Sequence, residues 1–402
     1  MFNSLRHRNY RIYLTGQMIS LIGTWVQGLA TSWLVYSLTK SPFWLGLTGF
    51  ATQIPTFLLS IFTGIYVDHV KKHHLLLWTQ SLALLQALAL AYMSYTHQIN
   101  IYLIVVLNFI LGIINAFDMN ARQSFVVHMV PDRKDLPNAI ALNSTIANGT
   151  RLIGPMLAGI AIASFGASVC FIINAISFIA VLIALMMIKV VEPTPPKFNP
   201  RKIVEHFMIG YHATFDNKAI RNLILFLTTS SFFGSPYINL FPAMGHYSGL
   251  DDSKGLGLIT AMSGIGSMLG AIFLARKTTA PKFAHFIGIG GLLLGLSVAL
   301  SLTIREPYWL LVSVFFAGLG LMLQLSATNT MVQTLAEDDK RSRILSFLLL
   351  SMMGIAPFGS LMLGYLGEKI GIKLTLLFSG IICALFALRF LKIALSIDEE
   401  IK

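Results

Sequence analysis

The feature that most restricts this chain is a series of long apolar runs at nearly regular spacing. A membrane-spanning helix needs about 20 apolar residues, and twelve runs of that kind follow one another. They lie near 11–38, 43–67, 74–95, 101–125, 138–164 and 167–189, then near 219–246, 255–276, 282–303, 307–335, 343–367 and 373–394. Composition agrees with this reading. Of the 402 residues 55% are hydrophobic and only 11% charged, with a mean hydropathy of +0.73. Soluble domains carry roughly 25% charged residues. The expected fold is therefore an all-α membrane protein of about twelve transmembrane helices in two pseudo-symmetric six-helix bundles.

The break between the two sets of runs is Val190–Lys218, which begins with Glu192-Pro193-Thr194-Pro195-Pro196. A helix does not run through such a proline cluster. Residues 200–215 read as a short amphipathic helix on the membrane surface. The expected division is 1–190 for the first bundle, 191–218 for a cytoplasmic linker and 219–402 for the second bundle.

The formal net charge is +12, which in a soluble protein suggests nucleic acid. Here the basic residues sit in short loops. With the N-terminus inside, Lys40, Lys254, Arg305, Lys369 and Lys373 fall outside and Arg151 falls within a span. All the remaining Lys and Arg, out of 29, fall inside. Positive charge favours the cytoplasmic face, so both termini are expected in the cytoplasm and the protein in the inner (cytoplasmic) membrane. The long first run, with no small-residue cleavage site, reads as an uncleaved helix. Cys170 and Cys383 each lie inside an apolar run, with no disulfide framework and no metal spacing.

The two halves look like weak copies. Gly154-Pro155 matches Ala356-Pro357, Gly64–Lys72 matches Gly270–Lys277, and Gly112–His128 matches Gly320–Ala336. Paired halves are a transporter plan in which one half rocks against the other.

Gly64-Ile65-Tyr66-Val67-Asp68-His69-Val70-Lys71-Lys72 resembles the loop signature of the major facilitator superfamily. The resemblance implies a conformational latch made by Gly64, Asp68, Lys71 and Lys72, with His69 where Arg is usual. Arg151–Gly159 resembles the Gly-Pro motif of the superfamily's antiporters through Gly154, Pro155 and Gly159, with Ala158 where a second Gly often occurs. That motif implies export. Gln17–Thr39, Asn115–Asn143 and Gln333–Phe347 together resemble the branch that holds the enterobactin exporter and macrolide efflux proteins. The resemblance implies proton-coupled efflux of an amphipathic small molecule, siderophore or drug-like. Import or lipid transport within the same superfamily is the alternative.

Ionisable groups inside a span are costly and call for a partner or a function. Asp118 and Arg122 are four residues apart, hence on one helix face, and Arg151 lies in the next run. These three are the proton-coupling candidates. Their counterparts in the second half include Ser326 and Met353, so the charged groups are one-sided. Asp118 either exchanges a proton or ties two helices together as a permanent ion pair. Candidates for the cargo site are Trp25, Gln27, Trp33, Asn115, Asn239, Gln324 and Asn329, aromatic and amide groups suited to an amphipathic ligand. No nucleotide-phosphate loop and no nucleophile or metal cluster is present, which argues against a primary pump and an enzyme. No cofactor, metal or nucleic acid is expected. The expected partners are a small-molecule substrate, protons and the bilayer, with the chain a monomer whose Gly266–Gly270 face packs internally.

Overall fold

A computed structural model describes residues 3–130, 132, 134–190, 208, 210–276, 283–337 and 340–399. Among these the regular structure is helical throughout. After a 3-10 turn at Asn3–Arg6 come α1 (Arg8–Thr39), α2 (Pro42–Asp68), α3 (Lys72–Tyr95), α4 (Ile101–Met129), α5 (Leu136–Phe165) and α6 (Ala167–Met187). Then follow α7 (Lys218–Thr229), α8 (Phe241–Ser248), α9 (Ser253–Ala275), α10 (Phe283–Leu300) and α11 (Pro307–Leu335). The series closes with α12 (Arg341–Leu349), α13 (Ala356–Lys369) and α14 (Ile372–Glu399).

Every one of the twelve apolar runs is helical. Among the described residues ten helical segments are long and apolar enough to cross a membrane, or eleven with the pair Pro42–Leu59 and Phe62–Asp68, bent by 56°, counted as one. The twelfth run is α5. Its polar first half, with Asn143, Asn148, Thr150 and Arg151, lowers its hydropathy below that of the others. Residues 191–207 and 209, which hold most of the linker and its expected amphipathic helix, lie outside the described residues. The end of that segment is described, and Tyr211 and Phe215 pack on Phe347 of α12.

α3 illustrates how a bilayer rearranges the usual amphipathic pattern. Its inward face buries Thr79, Gln80, Gln86 and Ser94 among Leu76, Ala83, Ala87 and Leu90. Its outward face exposes Trp78, Leu82, Leu85, Tyr92 and Tyr95. Polar groups turn inward because lipid offers them no hydrogen bonds. Trp78 and Tyr95 are about 26 Å apart at 1.5 Å per residue, close to the thickness of a hydrocarbon core of about 30 Å. Aromatic rings favour both membrane–water boundaries.

The chain divides into two compact units, 1–38 with 51–199 and 39–50 with 200–402. In the first unit the N-terminal turn is tied to the start of α5. Ser4 Oγ donates to Asn138 Oδ1 at 2.7 Å, Tyr10 donates to the Ala139 carbonyl at 2.7 Å, and His7 meets Asp135 at 3.0 Å. A core of Tyr10, Tyr13, Leu76, Ala121, Phe125 and Met129 lies beside this tie.

The second unit contains two interrupted helices. Between α7 and α8 the chain passes through a π-helical stretch, Ser230–Gly234, and a 3-10 stretch, Ser235–Leu240. Between α12 and α13 it passes through another π-helical stretch, Leu350–Gly354. Pro236, Pro242 and Pro357 each lack the N–H that would continue an α-helix. The interruptions meet at Gly359, where a Cβ would overlap the Phe232 carbonyl and the Pro236 ring. Elsewhere α9, α10, α11 and α14 are knit by glycine. A Cβ on Gly266 would overlap the Phe315 carbonyl, and one on Gly318 the Ser263 carbonyl. The Gly266–Gly270 face thus packs against α11. Residues 39–50 also pack within this unit: Ser360 Oγ donates to the Gly46 carbonyl at 3.2 Å, and Ser41 Oγ to Glu368 at 2.7 Å.

Candidate functional site

The stretch Phe117–Arg122 of α4 joins three helices. Phe117 packs edge-on against Tyr66 of α2, with ring centroids 5.7 Å apart. Asn120 Nδ2 donates to Thr63 Oγ1 of α2 at 2.9 Å. Between them Asp118 points toward α3. Thr79 Oγ1 and Gln80 Nε2 both donate to its Oδ1, at 2.8 and 2.7 Å. Arg122 Nε lies 2.5 Å from Oδ2. No N–H of that nitrogen is aligned on the oxygen, so the contact is an ion pair without a well-formed hydrogen bond. Tyr13 of α1 is an electrostatic neighbour of both charges.

Asp118 is only 4% exposed, so its charge depends on these partners. Two neutral donors and one cation satisfy it; hydrogen bonds to an ionised acceptor are the stronger kind. The i, i+4 spacing of Asp118 and Arg122 predicts their pairing, and the structure has it. The side chain of Arg151 lies outside the described residues, so the third member of the expected cluster has no described contact. Sequence reading missed Thr79 and Gln80. Their signal was two adjacent polar residues inside an apolar run, on the face that also carries Gln86.

Around the latch segment, Asp68 is exposed at the end of α2 with no ion pair among the described residues, and Lys71 precedes α3 without a side-chain cap. A Cβ on Gly64 would meet nothing within 4 Å. In the antiporter-like motif, Gly154 seats Trp25, whose Cβ would lie 2.5 Å from a Cβ added there. Gly159 is buried, and the ring of Pro155 lies outside the described residues.

The cargo candidates separate into two groups. Gln27 is buried in a chain of amides: it accepts from Asn174 at 2.8 Å and donates to Gln86 at 2.9 Å, while Ser177 donates to Asn174 Oδ1 at 2.9 Å. Gln324 is fully buried and donates to Ser230 Oγ at 2.7 Å. Both hold helices together inside their own units. Asn239 donates to Ser360 Oγ at 2.9 Å. Trp25 and Trp33 are half-buried, whereas Asn115 and Asn329 are exposed, the latter accepting from Gln333 one turn on. No group of His, Cys, Asp and Glu among the described residues could hold a metal ion.

This helical plan recurs in known transporters. The structure superposes on a bacterial homologue of the human lysosomal transporter Spinster, inward-facing and occupied, with a TM-score of 0.76, covering 97% of both chains at 14% identity. It superposes on the nucleoside transporter NupG with a TM-score of 0.74, covering 96% of this chain and 98% of that one at 12% identity. The staphyloferrin A transporter of Staphylococcus aureus (strain NCTC 8325 / PS 47) is 25% identical over 400 residues, 97% of this chain and 98% of that protein. The family model for transmembrane secretion effectors matches residues 1–401. A helical membrane fold, a polar interior and an end-to-end family match agree: the chain belongs to the transmembrane secretion effectors of the major facilitator superfamily and is a multi-pass secondary transporter rather than an enzyme.

Proposed function

We propose that the chain exports an amphipathic small molecule of the siderophore class in exchange for protons entering the cell. The observation that carries the coupling is the buried carboxylate of Asp118, held against Arg122 inside a span. An ionisable group so buried among helices is expensive unless it is paired or used. Protonation of Asp118 removes its hold on Arg122, and deprotonation restores it. Arg151, on the next helix, is the second cation that could receive the carboxylate. The secretion-effector family and the end-to-end likeness to a siderophore transporter support the direction and the cargo class.

In this reading the protein lies in the inner (cytoplasmic) membrane with both termini in the cytoplasm, as the distribution of Lys and Arg favours. Gly64, Asp68, Lys71 and Lys72 form a latch that engages in only part of the cycle, which suits an Asp68 with no ion pair among the described residues. Trp25, Trp33, Asn115, Asn239 and Asn329 offer cargo contacts. Gln27 and Gln324 act instead as internal fasteners.

Everted membrane vesicles test the proposal, with labelled staphyloferrin A as the probe. Vesicles acidified internally should accumulate it, and a protonophore or the substitution Asp118→Asn should abolish accumulation without reducing the amount of protein in the membrane. Accumulation that survives the protonophore would rule out proton exchange. Exclusion of the probe at every pH would rule out this cargo class.

A further inference from the structure

The partners of Asp118 have an arrangement that a fixed ion pair does not require. Thr79 has one hydroxyl hydrogen and two acceptors in range, Asp118 Oδ1 at 2.8 Å and the carbonyl of Leu76 at 3.1 Å. Turned toward Leu76, the hydroxyl offers Asp118 a lone pair instead of a proton. Gln80 donates through Nε2, while its Oε1 is buried and has no hydrogen-bond partner among the described residues. Leaving a buried acceptor unmet is costly.

If Asp118 takes a proton on Oδ1, its new O–H would face the Nε2 donor. Turning the Gln80 amide over brings Oε1 to that position as an acceptor. Nε2 then occupies the place Oε1 had, so one unmet group replaces another and the turn adds no orphan. Arg122 contributes charge to Oδ2 without an aligned N–H, so its side chain does not hold the carboxylate in one hydrogen-bonding state. The charged or titratable groups nearby are Arg122 on the same helix and Tyr13 on α1, and Arg151 in α5 lies outside the described side chains.

We propose that Gln80, with Thr79, is a positioning residue that holds Asp118 both as carboxylate and as carboxylic acid: the Gln80 amide turns over to accept the one new O–H, while the Thr79 hydroxyl stays on Oδ1 or turns to the Leu76 carbonyl. The inference rests on the proton-coupling reading above. The proton reaches Oδ1 from hydronium and returns to water, and the amide and hydroxyl reorient without losing or gaining hydrogen.

Infrared difference spectroscopy on the full-length chain in liposomes, between neutral and acid pH, tests this with glutamine labelled at the side-chain nitrogen. An acid carbonyl band lost in Asp118→Asn marks protonation of Asp118. A label-sensitive glutamine band should shift in step with it and should be lost in both Asp118→Asn and Gln80→Met. The Asp118→Asn comparison alone identifies that band if Gln80→Met does not reconstitute. An acid band with no accompanying glutamine change overturns the proposal and leaves proton coupling intact. Absence of the acid band between about pH 4 and pH 9 overturns the coupling reading and this inference with it.

Discussion

In the first unit α3 meets its neighbours through hydrogen-bonded side chains. α1, α3 and α6 are joined by Gln86, Gln27, Asn174 and Ser177, and α3 and α4 by Thr79, Gln80 and Asp118. At the matching place in the second unit, α10 presents Gly290 and Gly295 to α11 and α14, and backbones touch where amides would otherwise reach. In lipid the hydrophobic effect no longer drives helices together, and both small residues and polar bonds substitute for it. The difference has a cost on each side. Close backbone packing tolerates no added atom. A polar network tolerates size changes better but loses when a partner goes missing.

The comparison is most easily broken at the glycines. Gly318→Leu should destroy most of the folded protein seen by size-exclusion chromatography in detergent, because the new side chain would meet the Ser263 carbonyl. The same change at Gly28 in the first unit, where a Cβ meets nothing within 4 Å, should leave the folded yield near that of the unmodified chain. Equal losses at the two sites would remove the contrast.

Arg122→Met should come next, destabilising the chain by about 3 kcal/mol in a denaturant titration, the lower end of the cost of stranding a buried charge. Adding Asp118→Asn to it should restore much of the loss, because Thr79 and Gln80 still have an oxygen to donate to. If the double substitution is no better than the single one, the pair is not a unit.

A smaller effect separates the two buried glutamines. Gln27 and Gln86 should couple by about 0.6 kcal/mol in a double-mutant cycle, the average for such bonds in membranes. Gln324→Leu should be nearly neutral. It removes the bond to Ser230 together with a buried Oε1 that has no partner among the described residues, and those two changes oppose each other. A large loss at Gln324 would mean that the second unit depends on polar contacts as much as the first.

The sequence made the helices legible because the apolar runs that fill a bilayer leave little doubt about their positions. Asp118 and Arg122 were legible as a pair for the same local reason, one turn of one helix. Thr79 and Gln80 were not, since their register against α4 depends on how two helices pack. Gln27 and Gln324 read as cargo candidates in the sequence and bond to neighbouring helices in the structure, because a polar side chain within a span reads the same whether it faces a neighbouring helix or a cavity. Prolines stand at 236, 242 and 357, but the π-helical stretches near them, Ser230–Gly234 and Leu350–Gly354, carry no sequence pattern of their own.

α3 carries aromatic rings near both of its ends on the lipid side, Trp78 at one and Tyr92 and Tyr95 at the other. Moving the helix along the membrane normal would drag one set into hydrocarbon and the other into water. The two sets of rings therefore oppose sliding of α3, and with it any change of level of Thr79 and Gln80. Rotation or tilt of α3, or travel of α4 past it, changes the surroundings of Asp118 without that cost.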